Sequence, residues 1–135
     1  MVLLKTVRRI GVAALILPSL DHLLAPTLTM ALAPAMLQSV FGAGMVPAVV
    51  FFIVLGVFQL VWIGVLLKSN NSSLLVLGVL GNLISILIYF VSTAGVTLLG
   101  VPPQPLIPFA LLIKALEALF VLASLYVLKA HRSRP

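Results

Sequence analysis

The chain has 135 residues, of which 63% are hydrophobic and only 7% charged, far from the roughly one-quarter charged composition of a soluble domain. Its net charge of +6 lies in small clusters beside apolar runs and not along one exposed face, which argues against a nucleic-acid partner. The absence of cysteine excludes a disulfide, a thiolate metal site and a Cys nucleophile.

Crossing a hydrocarbon core of about 30 Å takes about 20 mostly apolar residues. Four such stretches use up the length, leaving residues 1–135 as a single transmembrane domain. The first span runs from Ile10 to Leu32 behind Lys5, Arg8 and Arg9 and contains Pro18 and Pro26. This basic start has the outline of a secretory signal. However, Pro18, Asp21 and His22 interrupt the apolar run and no small-residue cleavage site follows, so it reads as a retained span. Residues 33–45 are too short and too glycine-rich to cross; they are expected to form a loop with a half-turn lying at the interface.

The second span, Val46 to Leu67, ends at Lys68 and the polar turn SNNSS, so the third is its antiparallel neighbour. The third span, Leu74 to Val96, runs into LLGVPPQPLIP, where four prolines prevent helix until Phe109. The fourth covers Phe109 to Leu128 and ends in a tail with Lys129, Arg132 and Arg134.

Positive loops stay in the cytoplasm. With four spans, the basic segments before span one, between spans two and three, and after span four all share one side. The expectation is an all-α, integral membrane four-helix bundle, up-down-up-down, multi-pass in the cell membrane with both termini cytoplasmic. No internal repeat of the inverted-transporter type is present.

The only two acidic residues, Asp21 and Glu117, fall near the middle of spans, together with His22 and Lys114. A charge at a span centre costs about 2.5 to 3.5 kcal/mol on insertion scales, so these side chains should face the bundle interior and find partners. At about 1.5 Å per helical residue, Asp21 lies about 17 Å and Glu117 about 18 Å from the basic border, with Gln59 and Asn82 about 13 Å deep.

Helical spacing sets Ala14, Pro18, Asp21 and Ala25 on one face; Gly56 and Gln59 on a second; Gly78, Asn82, Ser85 and Tyr89 on a third; and Ala110, Lys114, Glu117 and Ser124 on a fourth. Small residues there permit close helix approach. Asp21, His22, Gln59, Asn82, Lys114 and Glu117 are thereby expected to form one intramembrane polar network.

Two uses of that layer are open. In one, Lys114 pairs with Asp21 or Glu117 and the amides complete a structural network. In the other, the surplus carboxyl is protonated or paired with His22 and accepts protons. Pro18 and Pro26 free the carbonyls of Ala14 and His22, which could receive a cation or a side-chain donor. A haem between helices would need two axial histidines, whereas His22 is the sole histidine within a span. No bound cofactor or metal is expected. Catalytic motifs such as a nucleophile triad, a phosphate loop or HExxH are lacking, so no enzymatic activity is expected.

The segments DHLLAP, GVFQLVWIG, LGNLISILIYF and KALEALFVL resemble those of a loose group of uncharacterised small four-span integral membrane proteins. That resemblance implies a fold and no activity. The chain shares length and span count with the small multidrug exporters but differs from their pattern of a single glutamate in span one.

The functional expectation is a non-catalytic accessory or assembly subunit of a larger integral membrane complex of respiratory type, with the lipid bilayer and larger membrane subunits as partners. The alternative is a small proton-coupled transporter or channel using Asp21 and Glu117. A third option is a quinone- or lipid-handling site beside His22.

Overall fold

The structure is a computed structural model that describes residues 2–96, 103 and 105–132; Arg134 and residues 97–102 of the proline-rich connection lie outside it. Five α-helices follow in chain order: α1 (Val2–Leu32), α2 (Pro34–Phe41), α3 (Met45–Lys68), α4 (Ser72–Thr93) and α5 (Pro108–Arg132), with a 3-10 turn at Gly42–Gly44 between α2 and α3. Helices α1, α3, α4 and α5 are long and apolar enough to cross a membrane. They form a four-helix bundle in which α1 packs along α3 and α5, α4 packs on α5, and α3 touches α4 more lightly.

The ends of the helices differ from the expected spans for local reasons. No breaker precedes Ile10, so α1 is helical from Val2 and carries Lys5, Arg8 and Arg9 with it. It continues through Pro18 and Pro26; the hydroxyls of Ser19 and Thr27 donate to the carbonyls of Leu15 (2.6 Å) and Leu23 (2.5 Å), next to those of Ala14 and His22 that the prolines leave free.

The segment expected as a loop with a half-turn is instead two turns of helix, α2, opened by Pro34 at its start and closed at Gly42 with φ of 51°, a conformation open to glycine. Helix α4 begins earlier than expected, at Ser72, because the Asn71 side chain accepts from the amides of Ser73 (2.9 Å) and Leu74 (3.3 Å) as an N-cap. It stops three residues short of Val96, where Gly95 turns to φ of 93°. Helix α5 opens on Pro108, the favoured proline position, and runs past Leu128 to Arg132.

The start of α1, the end of α5 and the α3–α4 turn meet at one end of the bundle. Arg8 holds them: Nη1 donates to the carbonyls of Leu66 (2.7 Å) and Ser69 (3.0 Å), and Nη2 donates to Asn70 Oδ1 (2.8 Å) and lies 3.2 Å from His131 Nε2. A guanidinium is thus seated on the carbonyl end of α3, where positive charge and donors are favoured. Arg8→Ala is expected to cost about 1 kcal/mol, since the site is only partly buried. Arg8→Lys should recover little of it, because an ammonium cannot span the four acceptors as a planar fork does. Chemical unfolding in mixed micelles reads both.

Behind Arg8, this end is filled by an apolar core of Leu15, Leu66, Leu75, Phe120, Val121 and Val127. Gly11 brings three helices together there: a Cβ on it would stand 2.7 Å from Leu66 Cδ2 and 2.8 Å from Ala123 Cβ. Farther along, a Cβ on Gly56 would lie 3.0 Å from the Ser19 carbonyl oxygen, so α1 and α3 approach at backbone distance. The outward ridges, such as Leu77, Leu80, Ile84 and Leu87 of α4, are exposed and apolar, as lipid-facing positions require.

Candidate functional site: a polar layer beneath a cavity

Past the apolar core, each spanning helix contributes a polar side chain to one layer. Gln59 of α3, Asn82 of α4 and Glu117 of α5 have no exposed surface, and His22 of α1 and Lys114 of α5 are buried. At the centre is the Glu117 carboxylate. Its Oε2 accepts from Lys114 Nζ at 2.9 Å, one helical turn away on the same face. Its Oε1 accepts from Gln59 Nε2 at 2.8 Å, and Ser85 Oγ lies 3.1 and 3.3 Å from the two oxygens. Lys114 Nζ also donates to Ser85 Oγ at 2.9 Å, which leaves the serine proton for the carboxylate.

The direction of these bonds fixes the rest of the layer. Gln59 must present its NH2 to the carboxylate, and the same nitrogen donates to Asn82 Oδ1 at 3.1 Å. Asn82 then donates from Nδ2 to the Gly78 carbonyl at 2.9 Å. Gln59 Oε1 faces His22 Nδ1 at 2.9 Å, so Nδ1 carries a proton. The imidazole is stacked on Phe52 at 5.7 Å, and its Nε2 makes no hydrogen bond among the described residues.

Of the six residues the sequence placed in this layer, five form one hydrogen-bonded network and Asp21 does not join it. The ion pair of Lys114, open between Asp21 and Glu117, is with Glu117. The inward face of α1 is Gly11, Ala14, Leu15, Pro18, Ser19 and His22, which centres it on His22; Asp21 is turned to one side and half-buried. Its carboxylate makes no hydrogen bond or ion pair among the described residues. Ser85 belongs to the network although the sequence set it only on the same face as Asn82. Its spacing of three residues from Asn82 was the signal.

Asp21 faces a cavity of about 500 Å³. The cavity begins at the layer, where Asp21, His22, Ser85 and Lys114 line it, and extends toward the end of the bundle away from Arg8. Its walls are Val49, Phe51, Phe52, Leu55, Ile88, Tyr89 and Ile113, and Met36, Leu37, Val40 and Phe41 of α2 cover it together with Pro105 and Ile107. The Tyr89 hydroxyl is buried and lacks a hydrogen-bond partner among the described residues, and the centre of the Tyr89 ring lies 5.9 Å from Lys114 Nζ.

The bundle therefore has three zones: a packed apolar end under Arg8, a satisfied polar layer, and a hollow end roofed by α2. Such a pocket, apolar with a few convergent polar groups, is what small-molecule sites share. No three His, Asp or Glu side chains converge to hold a metal ion among the described residues.

Comparison with protein-family models, curated proteins and solved structures returns no match, so the four-span resemblance rests on its short motifs alone.

Proposed function

We propose that this protein binds a small amphipathic molecule inside the membrane, with the polar end of the ligand at Asp21 and His22 and its apolar part between the aromatic walls below α2. The observation that carries this reading is the cavity of about 500 Å³ whose floor holds a carboxylate without a hydrogen-bond partner among the described residues. A residue kept only for folding would be satisfied, as Glu117 is. Both termini are cytoplasmic in this reading, supported by the gathering of Lys5, Arg8, Arg9, Lys68, Lys129 and Arg132 at one end, and the membrane is the cell membrane. The cavity then faces the outer half of the bilayer. If the protein moves its ligand across the membrane, Asp21 is the titrating group, because Glu117 is occupied by Lys114, Gln59 and Ser85.

The second reading is a non-catalytic accessory subunit of a larger membrane complex, of respiratory type. It is favoured by Gly64, exposed on the outer face of α3 with open space where a side chain would stand, which would let a partner helix approach closely.

Native mass spectrometry of the protein extracted in mild detergent separates the two. Ligand binding predicts a low-mass adduct on the unmodified chain that is lost when Ala25→Trp fills the cavity from α1. Stoichiometric recovery with larger subunits and no adduct would establish the second reading in its place.

A further inference from the structure

Resting on the ligand-binding reading above, we propose that the ligand is a lipophilic amine in its protonated form, held by the Asp21 carboxylate at the cavity floor.

The reasoning starts from which polar atoms the network leaves open. Among the described residues Lys114 is the one cation lining the cavity, and its ammonium is already placed against Glu117 Oε2 and Ser85 Oγ, each at 2.9 Å. It is neutralised before any ligand arrives and offers little to an anionic head. With Asp21, Lys114 and Glu117 all ionised, the floor carries one negative charge in excess, on Asp21, and a cationic head group is what favours that state.

The second open group has the same polarity. Because the network fixes the proton of His22 on Nδ1, facing Gln59 Oε1 at 2.9 Å, the neutral imidazole leaves Nε2 as an acceptor. Asp21 and His22 are adjacent in α1, and both line the cavity. A head group able to satisfy them must carry N–H or O–H donors, and a positive charge matches the carboxylate.

The walls agree with a cation as well. Phe51, Phe52 and Tyr89 line the cavity, and aromatic faces attract a desolvated cation. Apart from the hydroxyls of Thr29, Ser85 and Ser92 the rest of the wall is apolar, so the body of the molecule must be apolar. A quinone or a fatty acid would present carbonyl or carboxylate acceptors to Asp21 and His22 Nε2, which are themselves acceptors, and would be left with the Tyr89 hydroxyl and the third Lys114 N–H as donors while Asp21 stayed unsatisfied.

A charge series on one skeleton tests this: 4-phenylbutylamine, 4-phenylbutanol and 4-phenylbutyrate, titrated at pH 7.5 onto the protein in lipid nanodiscs, with protein-free discs subtracted. The expected result is amine binding at least tenfold tighter than the alcohol, with the acid weakest. In Asp21→Asn, amine binding should fall about tenfold while the alcohol is unchanged. Equal binding of all three, or a preference for the acid, would overturn the amine assignment and leave the cavity reading standing. Binding of none would overturn both. Should Asp21→Asn fail to fold, the order of the three probes on the unmodified protein decides alone.

Discussion

Glu117→Leu should be the most damaging single substitution in the protein, with a loss of about 3 kcal/mol. Among the described residues the carboxylate is the only partner of opposite charge at contact distance from Lys114, and it accepts from Gln59 and Ser85 as well. Removing it strands a buried ammonium and an amide in an apolar interior, and the cost of breaking a buried pair comes mainly from that unpaired charge. The magnitude stays at the low end of the usual range because Lys114 borders the cavity and can turn its ammonium toward it.

The double variant Lys114→Met with Glu117→Leu should be markedly more stable than Glu117→Leu alone, since a buried ion pair exchanged for apolar groups of similar volume is often near neutral. Asp21→Asn should fall within about 0.5 kcal/mol of the unmodified protein, as expected of a site away from buried networks. Unfolding in mixed micelles of dodecyl maltoside and dodecyl sulfate measures these three variants together with Lys114→Met alone. Additive losses for the Lys114 and Glu117 changes would show that the two side chains are not coupled.

This contrast between two carboxylates marks where reading the sequence succeeds and where it stops. That Glu117, Lys114, Gln59 and Asn82 would meet was legible, because depth follows from counting residues at a fixed rise and inward direction follows from the cost of placing polar groups in lipid. The division of roles between Asp21 and His22 was not. They are adjacent, so a helical turn of about 100° separates their side chains and only one can lie at the centre of the inward face. Both are polar, and the stripe through Ala14, Pro18, Asp21 and Ala25 is as regular as the one through Gly11, Leu15, Ser19 and His22. What selects the latter is the shape of the neighbours: Gly11 meets Leu66 and Ala123, and Gly56 meets the Ser19 carbonyl.

The cavity was equally beyond reach. It exists because Pro34 starts a helix in a segment whose glycines suggested a loop, and α2 then roofs the space between α1, α3, α4 and α5. Hydrophobicity records that these side chains avoid water but not that they leave a space among themselves.

The second large effect is expected at Gly78. A Cβ there would fall within the Trp62 indole, against Cδ1 and Nε1. The indole is rigid, donates from Nε1 to the Leu74 carbonyl at 2.8 Å and stacks on Phe58 with centroids 4.0 Å apart. Gly81, one turn on, makes room for Phe58 in the same way. In Gly78→Ala the indole must leave, forfeiting about 1 kcal/mol for the hydrogen bond and about 1 for the ring pair, with overpacking strain of similar size. The higher helix propensity of alanine offsets about 1 kcal/mol, so the net loss should be about 2 kcal/mol. The same substitution in a Trp62→Leu background should reverse sign and stabilise by up to about 1 kcal/mol, because the clash is gone and the propensity gain remains. Trp62 is the only tryptophan in the chain, so fluorescence reports its position directly: displacement into lipid should increase quenching by brominated acyl chains in Gly78→Ala. Unchanged quenching together with unchanged stability would mean that α3 and α4 do not approach at this glycine.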